Sequence, residues 1–257
     1  MLKLENINKT YNQGTVNESR LFTDFNLTVE EGEFVSVVGS NGSGKTTTLN
    51  IICGSIPIDS GRVWVNERDI TRLKEYQRAK FIGRVYQNPA MGTCPSMNIL
   101  ENMSLADNKG KPFNLLPGIN KKRVDFYREQ LSRLKLGLED KLYVKVGNLS
   151  GGQRQAMALL MSTMTPLDFL ILDEHTAALD PKTSEIIMEL TDEIVREKKL
   201  TTIMVTHNLR HAAEYGNRLV MMHEGSIIMD QSGAEKAKTR MEDLLAIFNS
   251  ISVECGN

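Results

Sequence analysis

The chain has 257 residues, 40% of them hydrophobic and 25% charged, and its 31 Lys and Arg against 32 Asp and Glu leave a formal net charge of −1. This is the composition of a globular chain with a real core, and the near-neutral charge excludes a protein drawn to nucleic acid or to an anionic membrane by its overall field. Three cysteines, Cys53, Cys94 and Cys255, without CxxC spacing argue against a disulfide framework and a zinc site and fit a reducing cytosol; none receives a role.

The first residues lack the apolar core of a signal peptide, and no run of about 18 apolar residues follows, so the chain is not expected to cross a membrane itself. No repeat, low-complexity tract or Pro/Gly-rich linker divides it, which predicts one folding unit with an inserted lobe. Residues 2–7 and 25–29 read as half-buried strands, with an insertion at 12–20 between them and a turn at 30–33. Residues 34–38 are a nearly continuous apolar run, as in a strand covered on both faces, and lead straight into Gly39 and a helix. Strands are predicted again at 61–66 and 81–86.

From about residue 88 to 148 the character becomes helical and polar, and Val124, Tyr127, Leu131, Leu134 and Leu138 carry helical spacing. Residues 108–120, with two Pro and two Gly, read as an exposed loop. Strands return at 169–172 and 202–205. Between them Asp180-Pro181 predicts an N-cap and first helical position of a helix running to about 199. Residues 219–223 and 226–229 predict a hairpin, and Met241, Leu244, Leu245 and Phe248 an apolar stripe on a final helix, expected to pack on the core.

Two segments carry phosphate chemistry. Gly39-Ser40-Asn41-Gly42-Ser43-Gly44-Lys45-Thr46, followed by Thr47, matches GxxxxGK[ST] between a buried strand and a helix. Glycines let successive N–H groups point at a phosphate, the helix N-terminus adds positive charge, Lys45 reaches the β- and γ-phosphates and Thr46 offers a hydroxyl to Mg²⁺. Residues 169–172 then deliver Asp173 and Glu174 to a strand end, the first suited to Mg²⁺ through its water shell and the second to polarising an attacking water. The run Leu149-Ser150-Gly151-Gly152-Gln153 reads as a second anion-binding helix start, with Gln153 opening a helix to Thr165 that Pro166 stops. One nucleotide cannot easily use two such cradles from one chain.

A phosphate loop followed by LSGGQ resembles the ABC (ATP-binding cassette) ATPases, and the resemblance covers essentially residues 1–230. It implies an α/β fold, a P-loop NTPase of ABC type with a mostly parallel core sheet, an antiparallel β portion and an inserted helical subdomain. Residues 1–257 would form a single domain: core 1–88 and 165–230, helical subdomain 89–164, C-terminal helix 234–250. By the same resemblance Gln87 contacts Mg²⁺ and water, Asp180 belongs to the D-loop, His207 is the switch histidine at the γ-phosphate and Tyr11 stacks on adenine. His175 stands where many relatives have proline.

The resemblance further implies ATP and Mg²⁺ as cofactors and a head-to-tail homodimer in which ATP is sandwiched between the phosphate loop of one subunit and the Ser150–Gln153 run of the other. The chain would be the ATP-hydrolysing subunit of a transporter, peripheral at the cytoplasmic face of the cell membrane. It would contact a separate permease through a groove near residues 87–102, with a solute-binding protein as an indirect partner and no nucleic acid. The stretches around Gly92–Met97 and Asp173–Asp180 are similar to subunits of binding-protein-dependent importers of aromatic amino acids. The alternative is a soluble ABC ATPase of an assembly complex such as iron–sulfur cluster biogenesis.

Overall fold

The computed structural model describes residues 1–112 and 118–254; part of the predicted 108–120 loop, and Cys255, lie outside the described residues. Strands β3 (Phe34–Gly39), β6 (Ile82–Val85), β7 (Phe169–Asp173), β8 (Thr202–Val205), β9 (Arg218–His223) and β10 (Ser226–Ser232) form one sheet in the order β10-β9-β3-β8-β7-β6. All its pairings are parallel except β9 with β10, which is the predicted hairpin. A second, antiparallel sheet has the order β2-β1-β4-β5, from β1 (Leu2–Tyr11), β2 (Ser19–Val29), β4 (Ser60–Val65) and β5 (Arg68–Asp69). The α/β class with its mostly parallel sheet and antiparallel portion is therefore as the sequence predicts.

The parallel strands are apolar throughout because both faces are covered. Along β7, Phe169 and Ile171 point into the core shared with the antiparallel sheet and α1 (Lys45–Cys53), while Leu170 and Leu172 point into the core shared with the helical lobe. Each such fully buried side chain contributes about 1.5–3 kcal/mol of burial. The lobe is built from α3 (Ile99–Asp107), α4 (Val124–Ser132) and α5 (Gly151–Thr163), against which α6 (Pro181–Lys198) packs. Short helices α2 (Glu75–Arg78), α7 (Leu209–Glu214) and α8 (Gly233–Lys236) complete the connections, and α9 (Met241–Glu254) closes the chain.

Several predicted boundaries move. Strand β2 starts at Ser19 rather than residue 25, and β1 runs on to Tyr11, so only 12–18 form the connection. Helix α4 stops at Ser132, before Leu134 and Leu138, because Lys135 (φ 54°) and Gly137 (φ 64°) leave the right-handed region; both leucines are buried all the same. The helix at LSGGQ opens at Gly151, not Gln153, and ends at Thr163, not Thr165. On α9 the inward face is Leu244, Ile247 and Phe248, packed with Val38, Leu219 and Met221, whereas Met241 and Leu245 are exposed.

Candidate active site

The phosphate loop crosses from β3 to α1, with Gly44 (φ 103°) as the helix cap. Its glycines are demanded by neighbours as well as by any phosphate. A Cβ on Gly39 would lie 2.1 Å from the Met222 carbonyl oxygen of β9, and one on Gly44 would lie 2.7 Å from the Phe22 ring of β2. The antiparallel sheet thus buttresses the loop. Lys45 is buried, and its Nζ donates to the carbonyl oxygens of Gly39 and Ser40, each at 2.8 Å. Burial lowers its pKa and the nearby Glu174 works against that shift, so the ammonium is a poorly solvated cation held by weak partners. Ser40 Oγ lies 3.1 Å from Nδ1 of His223, a residue the sequence reading assigned nothing.

One pocket brings together Tyr11, Asn41, Gly42, Ser43, Gly44, Lys45, Thr46 and Thr47 with Glu174 and His207. Tyr11, at the end of β1, is fixed by a 3.1 Å contact between its hydroxyl and Thr47 Oγ1. Glu174 follows β7 in a left-handed conformation (φ 47°), its N–H donating to the Val205 carbonyl of β8. That turn brings its Oε1 within 2.7 Å of His207 Nε2, just past β8. Register puts Asp173 opposite Val205, so the parallel sheet sets the spacing of the carboxylate and the histidine.

Other predicted residues stand outside this pocket among the described residues. Asp173 turns to Arg84 of β6, with Oδ2 accepting from Nη2 at 2.6 Å. Gln87 is exposed beyond β6. Asp180 caps α6, its Oδ1 accepting from Thr183 N–H at 3.1 Å, and hydrogen bonding with the Thr183 side chain, then with its backbone, lowers the Asp180 pKa. Ser150 and Gln153 form a reciprocal capping box at the start of α5, each backbone N–H donating to the other's side chain at 3.2 Å. Gly152 has a packing reason of its own: a Cβ there would meet Thr183 Cγ2 at 2.3 Å, so α5 and α6 start side by side. His175 is buried with Nε2 3.1 Å from Thr191 Oγ1 on α6, and desolvation pushes its pKa down to about 3.

Among the described residues no three His, Cys, Asp or Glu gather as a metal cluster. Mg²⁺ needs no such cage, because it keeps waters and substrate phosphates and takes one or two protein oxygens. The exposed Thr46 hydroxyl at the pocket and the Asp173 carboxylate at the strand end are donors of that kind.

A groove separates the core from the helical lobe. Arg84, Tyr86 and Cys53 line one wall, Met91, Cys94 and Lys109 the other. Asn102, buried on α3, shapes the loop in between: its Oδ1 accepts from Cys94 N–H at 2.7 Å and its Nδ2 donates to the Cys94 carbonyl at 3.0 Å. Lys109 is buried enough that desolvation brings its pKa down to about 8.

Comparison with known proteins gives this geometry a family. Residues 22–177 match the family model described as ABC transporter. A tyrosine transport ATP-binding protein of Clostridioides difficile (strain R20291) is 47% identical over 248 residues, covering 96% of this chain and 98% of that protein. A phosphonates import ATP-binding protein of Lactococcus lactis subsp. cremoris (strain SK11) is 31% identical over 95% of this chain and 98% of its own length. Among solved structures, a dimeric ATP-binding cassette in a post-hydrolysis state bound to ADP and Pi is similar with a TM-score of 0.76 and 31% identity, covering 90% of this chain and 98% of that one. On these similarities the chain belongs to the ABC transporter family as an ATP-binding, ATP-hydrolysing subunit.

Proposed function

We propose that the pocket at the phosphate loop binds ATP with Mg²⁺ and that Glu174 is the general base of its hydrolysis, a reading carried by the 2.7 Å contact of Glu174 with His207 at that pocket. Lys45 exchanges its loop carbonyls for the β- and γ-phosphates, and the N–H groups of residues 39–47 cradle the rest. Thr46, Gln87 and Asp173, the last through water, are the groups that would hold Mg²⁺, which when bound neutralises charge on the phosphate oxygens. Glu174 takes the proton of the attacking water, His207 orients that carboxylate and faces the γ-phosphate, and the Tyr11 ring receives adenine.

Ser150, Gly151, Gly152, Gln153 and Asp180 belong in this reading to the pocket of a second copy. Their absence from the intrachain pocket among the described residues, and the dimeric state of the similar cassette, support a head-to-tail homodimer. The working units are the core 1–88 and 165–230, the helical subdomain 89–164 and the final helix. The groove between core and lobe, with Met91 67% exposed, receives a short helix of a separate membrane permease. No helix among the described residues is long and apolar enough to cross a membrane, and the protein works from the cytoplasmic face as a peripheral subunit. The relative named for tyrosine transport supports amino-acid import, fed by a solute-binding protein.

A tagged Glu174→Gln variant with MgATP, pulled from detergent-solubilised membranes, tests this. Recovery of a multi-spanning protein together with the ATP-bound dimer is expected. Recovery of soluble partners alone would contradict the permease assignment and move the protein to an assembly complex.

A further inference from the structure

Arg84 takes no part in the chemistry described so far, yet it is the group that Asp173 touches. Nη2 donates to Asp173 Oδ2 at 2.6 Å, Nη1 donates to Asn50 Oδ1 of α1 at 2.9 Å, and the guanidinium lies 4.7 Å from the centroid of the Tyr86 ring. The ion pair is well shielded, with side-chain exposures of 12% and 14%. Register explains the contact: Arg84 stands opposite Ile171 on β7, and Asp173 is the next residue along on the same face of that strand. The pair is therefore set by the sheet and not by a loop. Burial alone would lower the Arg84 pKa, but the hydrogen bond to Asp173 reverses this and the net shift is upward, so the guanidinium is a permanent cation.

We infer that Arg84 is a positioning residue that serves as the resident counter-ion of Asp173 and opposes divalent metal binding there, so that the metal must compete with a fixed positive charge. The inference rests on Asp173 being the Mg²⁺ carboxylate. When no metal is bound, a shielded carboxylate needs a partner, and Arg84 supplies one. A metal drawn to the same carboxylate brings a second cation beside the guanidinium, and their repulsion lowers its affinity. Arg84 thus stabilises the metal-free form and sets the metal concentration at which the site fills. A mere strut between α1 and the sheet would have no such effect.

The test is titration of Mn²⁺ into the full-length protein with ADP, following the free Mn²⁺ EPR signal, for the unsubstituted chain, Arg84→Met and Arg84→Lys. Arg84→Met is expected to bind Mn²⁺ about ten-fold tighter, the scale of one screened like-charge contact, with ADP affinity in EDTA unchanged and a lower Tm without metal. Arg84→Lys, which keeps the charge, should stay within about two-fold of the unsubstituted protein. Arg84→Gln, which keeps a donor without the charge, should tighten binding as Arg84→Met does and stands in for it if that variant folds poorly. Unchanged or weaker Mn²⁺ binding in both neutral variants, with ADP binding intact, would overturn the inference. If the unsubstituted protein with ADP binds no Mn²⁺, the magnesium reading itself fails, an outcome visible without any variant.

Discussion

Glu174 holds a backbone conformation that costs a non-glycine residue on the order of 1–3 kcal/mol, and the structure compensates by bonding its N–H to β8 and its carboxylate to His207. Next to it, the buried contact of His175 with Thr191 ties the turn to α6. A general base so fixed gives a sharp expectation: Glu174→Gln should lower kcat by about 100-fold or more while leaving ATP affinity within about two-fold, as single-turnover and binding measurements would show. Substantial residual turnover would transfer the role to another group. That Lys45 and Glu174 sit at an element end was legible because motif and strand end are local in sequence, and His207 was pointed to by the family resemblance. Arg84 and Thr183 were not, since the Arg84–Asp173 pair joins positions 89 residues apart and leaves no periodic trace.

At the scale of elements, continuous apolar runs revealed the parallel strands, because a strand covered on both faces has no polar side to show. The same logic overshot at α4: Leu134 and Leu138 keep the spacing of a helix and the burial of a core, yet Lys135 and Gly137 turn the chain out of the helix. Burial periodicity reports which side chains go inward and not what the backbone does between them. The α5–α6 contact gives a direct test. Gly152→Ala overpacks Thr183 Cγ2, which should cost about 1–3 kcal/mol and several degrees of Tm, and adding Thr183→Ser should restore most of it. The groove offers a titration. Desolvation brings the Lys109 pKa down to about 8 from an ordinary 10.5. Between those values the folded chain binds fewer protons than the unfolded one, so this group makes stability rise with pH, by up to about 1.4 kcal/mol per pH unit. The amine should accordingly acylate half-maximally near pH 8, well below exposed lysines, when labelling is followed by mass spectrometry; a midpoint above pH 10 would place it in bulk-like solvent.

The whole molecule presents two glycine-rich helix starts, one at Lys45 inside the pocket and one at Gly151 outside it, and the proposed function gives the second to the pocket of another copy. Sequence alone separated them, since their order along the chain is visible while their facing surfaces are not. The groove between core and lobe has walls from α1, β6 and α3, which no stretch of sequence unites, so the sequence pointed only to a region near residues 87–102. The proposed head-to-tail site depends on a second copy supplying Ser150 and its neighbours. The most direct measurement is the molar mass in solution of Glu174→Gln with MgATP and with MgADP, beside the same variant carrying Ser150→Phe. A dimer with ATP, a monomer with ADP, and a monomer in both nucleotides once Ser150 is replaced are predicted. An ATP-saturated monomer, or a dimer indifferent to Ser150, would contradict the account.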